Sequence, residues 1–164
     1  MDQEKIREIE KDKYMKLFRR QNICFVRGQG CKLYDQSGHE YTDFFGGIAV
    51  NCLGYNDPEL VRAISEQAGK LIHISNLYYN LPQAELTERL TESGEFDRVF
   101  FCNSGAEANE CAIKIVRKLA YESGSGKTTI LTARESFHGR TLATVTATGQ
   151  EKYSAPFAPL PGGF

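Results

Sequence analysis

Ser104, Gly105, Ala106 and Glu107 have the types and spacing best suited to chemistry in this chain. They stand between an apolar run, Val99-Phe100-Phe101-Cys102, and a segment where Ala108, Ala112, Val116 and Leu119/Ala120 recur at spacings of three and four. That order predicts a strand, a tight turn and a helix. Ser104 is a good N-cap, and Glu107 three residues later completes a capping box. Gly105 lets the backbone pass close to whatever lies above the turn. Free N–H groups at a helix start, with a hydroxyl beside them, suit a phosphate or another anion. The helix dipole adds about 0.3–1 kcal/mol near a surface, and several directed donors add the specificity that the dipole lacks. A helix cap that binds nothing is worded the same way, so the turn alone leaves both possibilities open.

A second group is Ser136-Phe137-His138-Gly139-Arg140-Thr141. It follows Thr128–Ala133, which reads as a strand, and so lies at the same sheet edge as Ser104 if the two strands are parallel neighbours. A planar ring needs an aromatic face to stack on, and a carboxylate is matched by the fork of a guanidinium. Phe137 and Arg140 could supply these two roles, or be a core aromatic and a surface cation. His138 reads as structural. No metal-ligand partner stands at helical spacing from it, and His39 and His73 are far away in sequence. No metal site is expected. Gly124-Ser125-Gly126-Lys127-Thr128 imitates the end of a nucleotide-binding loop, but Tyr121 stands where the pattern needs its first glycine. Helix precedes and strand follows it, the reverse of what such a loop requires. A solvent loop is the better account.

The elements that must position these groups follow from patterning. Asp2 to Arg20 reads as a solvated helix with a narrow apolar stripe. Ile23–Val26, Lys32–Tyr34 and Glu40–Phe45 read as short strands of a meander, separated by glycine-containing turns. Gly46–Asn51 is a flexible approach to an apolar turn. Asp57-Pro58 opens a helix whose inner face is Leu60, Val61, Ile64, Ala68 and Leu71. His73–Asn80 is a polar-aromatic connector. Another helix starts at Pro82, with Leu86 and Leu90 inward, and Leu142–Val145 reads as a further helix. From residue 82 onward helix and strand alternate, which predicts α/β architecture with at least partly parallel strands.

The 164 residues carry a net charge of -1, which gives no pull towards nucleic acid or an anionic membrane. Five cysteines without a C-x-x-C pair fit a reduced, cytoplasmic protein. No signal peptide is visible, and no run is long enough to span a bilayer.

Phe101–Glu110 with Ala112-Ile113-Lys114 resembles the cofactor phosphate loop of the class III pyridoxal-phosphate aminotransferases. Ser136–Thr141 resembles the Phe-His-Gly-Arg-Thr signature of the acetylornithine branch and its close relatives. Tyr41–Phe44 with Gly46–Gly54, and Ile72–Asn80, resemble two further family segments in the same order. The resemblance implies a fold-type I transferase, α/β. Residues 1–55 would be an amino-terminal meander belonging to the small domain, and 56–164 an incomplete cofactor-binding large domain. It also implies that Ser104, Gly105 and Ala106 hold the phosphate of pyridoxal 5'-phosphate, that Phe137 packs on its ring, and that Arg140 pairs with the substrate carboxylate.

The implied reaction moves an amino group from N-acetylornithine, or a related ω-amino donor, to 2-oxoglutarate, as in arginine biosynthesis. 4-Aminobutyrate, ornithine and succinyldiaminopimelate are alternative donors. A homodimer is implied for the complete protein. The lysine that forms the Schiff base with the cofactor lies beyond residue 164 in family order, as does the carboxylate for its ring nitrogen. The chain is therefore expected to be an amino-terminal fragment that does not transaminate alone. A non-catalytic anion-binding or interaction module is the other possibility.

Overall fold

Helix starts in this protein are set by side-chain caps. Asp2, Asp57, Asn80, Ser104 and Thr141 each accept a hydrogen bond from a first-turn amide, which satisfies one of the donors a helix leaves orphaned. The computed structural model describes residues 1–164, which form two compact units, Met1–Tyr78 and Tyr79–Phe164.

In the first unit, α1 (Gln3–Lys13) precedes an antiparallel sheet of β1 (Phe25–Gln29), β2 (Lys32–Asp35) and β3 (Glu40–Thr42), in that spatial order. Leu33 pairs with Gly28 on one side and Tyr41 on the other. The polar groups of the meander pair locally. Lys32 Nζ lies 2.9 Å from Glu40 Oε1, and Tyr34 donates to Glu40 Oε2 at 2.9 Å. Hydrogen bonding to Lys32 holds the Glu40 carboxyl below its usual range, and the same bond raises the Lys32 ammonium. Asp35 closes the β2–β3 turn by accepting from the amides of Ser37 and His39, both at 2.9 Å, and from the Tyr41 hydroxyl at 3.0 Å. Desolvation pushes its carboxyl up, but those donors together leave it lowered.

After β3 the chain makes a single turn, α2 (Gly46–Ala49), and it is left-handed. Gly47 and Ile48 both have φ of 62°, and Ala49 has 61°. Such a conformation costs L-residues roughly 1–2 kcal/mol each, and the surroundings impose it. Asp43 accepts from the amides of Phe45 and Gly46 at 2.7 and 3.0 Å and from the Tyr55 hydroxyl at 2.6 Å. The Tyr55 backbone is bridged to Gly30, and its ring lies so close to Gly28 that a Cβ there would meet Tyr55 Cγ at 2.4 Å. Sequence patterning predicts a flexible approach to an apolar turn here, but not the turn's left hand.

α3 (Pro58–Lys70) forms where Asp57 and Pro58 predict it, yet it has no buried residue. Leu60, Val61, Ile64 and Leu71, expected to face inward, are 41–60% exposed, because no element of the unit packs on them.

In the second unit, α4 (Leu81–Glu92) is likewise unpartnered, with Leu86 and Leu90 exposed. The core sits where α5 (Gly105–Glu122) meets α6 (Leu142–Ala147), with α7 (Glu151–Ser154) against α6. Ile113, Ala120, Val145 and Ala147 are its apolar members, and Thr144 and Thr148 are fully buried beside them. The strands predicted at Val99–Cys102 and Thr128–Ala133 are not formed. Both stretches lie outside any strand, since neither has a neighbouring strand to complete a ladder. Ile130 makes one backbone bond, donating to the Gly163 carbonyl at 2.8 Å. No helix is long and apolar enough to cross a membrane.

Candidate functional site

α5 begins at Gly105, with Ser104 as an extended N-cap whose Oγ accepts from the Glu107 amide at 3.2 Å. The reciprocal half of the expected capping box is displaced by one residue. Glu107 Oε2 accepts from the Asn103 amide at 2.6 Å instead of from the Ser104 amide. The first-turn amides of Gly105 and Ala106 have no intrahelical acceptor, and a Cβ added at Gly105 would meet nothing within 4 Å. As a donor the Ser104 hydroxyl makes only a long 3.4 Å contact to the Glu107 carboxylate, which a phosphate oxygen could replace. An open surface, two outward amides and a hydroxyl fit a phosphate group.

The second predicted segment is brought to this helix start. Asn109 Nδ2 donates to the His138 carbonyl at 2.7 Å, and the Thr141 hydroxyl bonds the Glu110 carboxylate. Gly139 is buried, with φ of 135°, and a Cβ there would lie 2.6 Å from Thr144 Oγ1 and 2.8 Å from Ala106 Cβ. Only glycine permits so close an approach of the loop to α5. The same loop is tied to the end of α6. The His138 amide donates to Thr148 Oγ1 at 3.2 Å, Ser136 Oγ donates to the Thr148 carbonyl at 3.1 Å, and Gln150 Nε2 donates to the Ser136 carbonyl at 2.8 Å. His138 Nδ1 is 3.2 Å from Ser136 Oγ.

Phe137 is 68% exposed. The Arg140 guanidinium lies over one face of its ring, 5.0 Å from the centroid, and 4.1 Å from the ring centre of Tyr153. Phe137 keeps another face for a planar group, and Arg140 is exposed. Sequence reasoning gave no role to Tyr153, nor to Asn109, Glu110 and Thr141 within the segments it singled out. The signal for Asn109 and Glu110 was available. They lie one helical turn after Gly105 and Ala106 and so share their face of α5. Tyr153 carries no such signal, since α7 spans only four residues. No group of three or more His, Cys, Asp or Glu side chains is placed to hold a metal.

The class-III aminotransferase family matches residues 16–164. The chain is 52% identical over 164 residues to the acetylornithine aminotransferase of Methanothermobacter thermautotrophicus, covering 100% of this chain and 41% of that protein. It is 55% identical over 152 residues to the acetylornithine aminotransferase of Synechocystis, covering 92% of this chain and 35% of the relative. Among solved structures, the ornithine aminotransferase of Toxoplasma gondii superposes with a TM-score of 0.93 at 25% identity, covering 100% of this chain and 39% of that one. The N-acetylornithine aminotransferase of Stenotrophomonas maltophilia superposes with a TM-score of 0.71 at 50% identity, over 80% of this chain and 36% of that one. The chain thus spans about two fifths of the length of the curated relatives it matches. With the family match running from residue 16 to 164, and the α/β fold in agreement, this chain belongs to the class-III aminotransferases.

Proposed function

We propose that this chain is the amino-terminal, cofactor-holding part of a pyridoxal-phosphate aminotransferase that carries an amino group from N-acetylornithine to 2-oxoglutarate. One observation carries most weight: the Ser104–Ala106 turn and the Phe137–Arg140 segment, 30 or so residues apart, are pinned together through Asn109, Glu110 and Gly139. The donor is chosen from the relatives, which are acetylornithine aminotransferases at about half identity. Ornithine and 4-aminobutyrate are the competing donors.

Pyridoxal phosphate, when bound, supplies the electron sink for loss of a proton from the substrate Cα. This chain's residues bind and orient. Ser104 Oγ and the amides of Gly105 and Ala106 take the phosphate, with the dipole of α5 behind them. Phe137 offers a ring face that fixes the plane of the cofactor. Arg140 presents a planar fork that takes a carboxylate through two parallel bonds and so sets the orientation of the amino acid. The lysine that anchors the cofactor belongs, in this proposal, to sequence after residue 164, and the complete enzyme works as a homodimer.

The test uses the complete enzyme. Gly105→Asp places a carboxylate against the phosphate and should abolish retention of the cofactor, read from its visible absorbance after gel filtration. Retention at normal affinity would overturn the assignment of the turn. Arg140→Lys keeps the charge and loses the fork, so the KM for both the amino donor and 2-oxoglutarate should rise. Initial rates with N-acetylornithine, ornithine and 4-aminobutyrate then decide the donor. Residues 1–164 alone, given pyridoxal phosphate, N-acetylornithine and 2-oxoglutarate, should form no glutamate above the free-cofactor background.

A further inference from the structure

Four arginines lie over aromatic rings in this protein, and Arg140 alone lies over two. Arg20 also forms an ion pair with Glu10, and Arg117 also donates to the Gly162 carbonyl, whereas Arg27, 3.5 Å from the centre of the Tyr34 ring, has that single ring as its partner. Arg140 has two rings, Phe137 at 5.0 Å and Tyr153 at 4.1 Å, and its guanidinium makes no hydrogen bond or ion pair with the protein. All five of its N–H donors are left for a ligand. A long, exposed arginine without polar partners would ordinarily sweep many rotamers, and each ligand encounter would then bear the cost of ordering it. The two ring faces hold the group without using a single donor.

Tyr153 is the nearer ring, and its placement is built in. It sits on α7, whose approach is fixed where Gln150 donates to the Ser136 carbonyl, and its amide donates to the Gln150 carbonyl at 3.0 Å. The segment carrying Phe137 and Arg140 is thereby bound to the segment carrying Tyr153. The Tyr153 hydroxyl has no hydrogen-bond partner and its side chain is only half-buried, so the face of the ring, and not the hydroxyl, makes the contact that matters. Lys152 Nζ lies 4.8 Å from the same ring, so the ring already serves as a cation platform.

We infer that Tyr153 is a positioning residue for Arg140, holding the guanidinium by its ring face so that the donors stay aimed at an incoming carboxylate. The inference rests on the proposed role of Arg140 as the carboxylate ligand, and it adds a residue that acts only through Arg140. Phe137 shares the contact, but its exposed face is committed to the planar cofactor in that same proposal, which leaves Tyr153 as the dedicated support.

The experiment measures the dissociation constant of glutarate, a dicarboxylate that cannot react, on the complete enzyme by calorimetry, alongside KM and kcat for 2-oxoglutarate. Cofactor absorbance reports an intact site. Tyr153→Leu should raise the glutarate dissociation constant and the KM by roughly three- to thirty-fold, the range expected for a lost cation–π contact, with kcat and cofactor content nearly unchanged. Tyr153→Phe keeps the ring and should bind glutarate as the parent does, to within about twofold. A large loss in Tyr153→Phe would overturn the inference, because the hydroxyl would then be the working group, and this variant reports even if Tyr153→Leu does not fold. In an Arg140→Ala background, Tyr153→Leu should cause no further loss; additive losses would mean that Tyr153 acts independently. If Arg140→Ala weakens glutarate and Tyr153→Leu does not, only the present inference fails. If Arg140→Ala itself leaves glutarate binding unchanged, the carboxylate role of Arg140 fails, and the inference falls with it.

Discussion

In the Met1–Tyr78 unit, β1, β2 and β3 follow one another in sequence and pair with one another in space, and the carboxylates of Asp35 and Glu40 find their donors within the same meander. In the Tyr79–Phe164 unit, the extended stretches at 99–102 and 128–133 have no strand beside them, and Phe100 and Leu131 stand 63% and 91% exposed. Yet it is this second unit that builds the candidate site. An antiparallel meander closes through tight turns and needs little besides itself, whereas strands of an α/β sheet take partners remote in sequence. Side chains, not a ladder, pin the candidate site. Asn109, Glu110, Thr141 and Thr148 hold the His138 loop on α5 and α6.

The sharpest way to break that contrast is Gly139→Val. The residue is buried at a φ of 135°, and its Cβ would enter both Thr144 and Ala106. Backbone strain and overpacking add, so the second unit should lose about 2–5 kcal/mol. Hydrogen exchange resolved by peptide should show faster exchange in residues 104–110 and 137–148, with the meander unchanged. An equal increase throughout the chain would show that the Gly139 contact does not act locally at the loop.

The corresponding substitution in the first unit is Gly28→Ala, where the new methyl meets the Tyr55 ring at 2.4 Å. The backbone there is ordinary strand, so only overpacking acts, at about 1–3 kcal/mol. Displacing Tyr55 also removes its 2.6 Å bond to Asp43. The amides of Phe45 and Gly46, which Asp43 also binds, should exchange faster while residues 104–110 stay protected.

How far the sequence foretold these features varies with how local their causes are. Ser104, Asp57 and the turn around Asp35 were legible because cap and turn chemistry acts over two to four residues. The Ser104–Ala106 turn was legible as a capped helix start for the same reason. The apolar stripes of α3 and α4 were read correctly as stripes, but no sequence pattern states whether another element will cover them. The left-handed turn at Gly46–Ala49 was hidden, because Ile48 is a residue that propensity would never place there, and the cause lies in Asp43 and Tyr55. Tyr153 was hidden for a like reason. Its partner Arg140 is thirteen residues away, across α6, at a spacing that follows no helical or strand period.

A smaller effect separates two roles of one residue. Ser104→Ala removes the cap from α5 and should cost about 1 kcal/mol, seen as fraying of the first turn by hydrogen exchange. In the complete enzyme the same change should weaken cofactor retention less than Gly105→Asp does, since the amides of Gly105 and Ala106 remain. If Ser104→Ala alone released the cofactor entirely, the hydroxyl would be the principal phosphate ligand and the amides secondary.

The smallest effect is the pH dependence of the first unit. Asp43 is held below the usual carboxylate range chiefly by the Tyr55 hydroxyl, then by the amides of Phe45 and Gly46, and Asp35 and Glu40 are lowered too. A carboxylate lowered on folding contributes stability above its unfolded value of about 4, and that contribution fades as pH falls through the lower folded value. Tyr55 and Tyr41 are raised by their bonds to Asp43 and Asp35, so their contribution is present below about pH 10 and is lost as pH rises through the higher folded values. The meander should therefore be most stable between about pH 4 and 10, with gentle losses on both sides, because these groups are close to solvent and well screened. Tyr55→Phe keeps the ring against Gly28 and removes only the donor. It should lower stability on the plateau and, because Asp43 then titrates nearer its ordinary value, make the loss below pH 4 shallower. Exchange at the Phe45 and Gly46 amides, corrected for the intrinsic pH dependence, reads both changes. An acid limb of unchanged slope in Tyr55→Phe would mean that the Asp43 carboxylate is held down by the two amides alone, and that the left-handed turn is fixed from its own backbone and not from Tyr55.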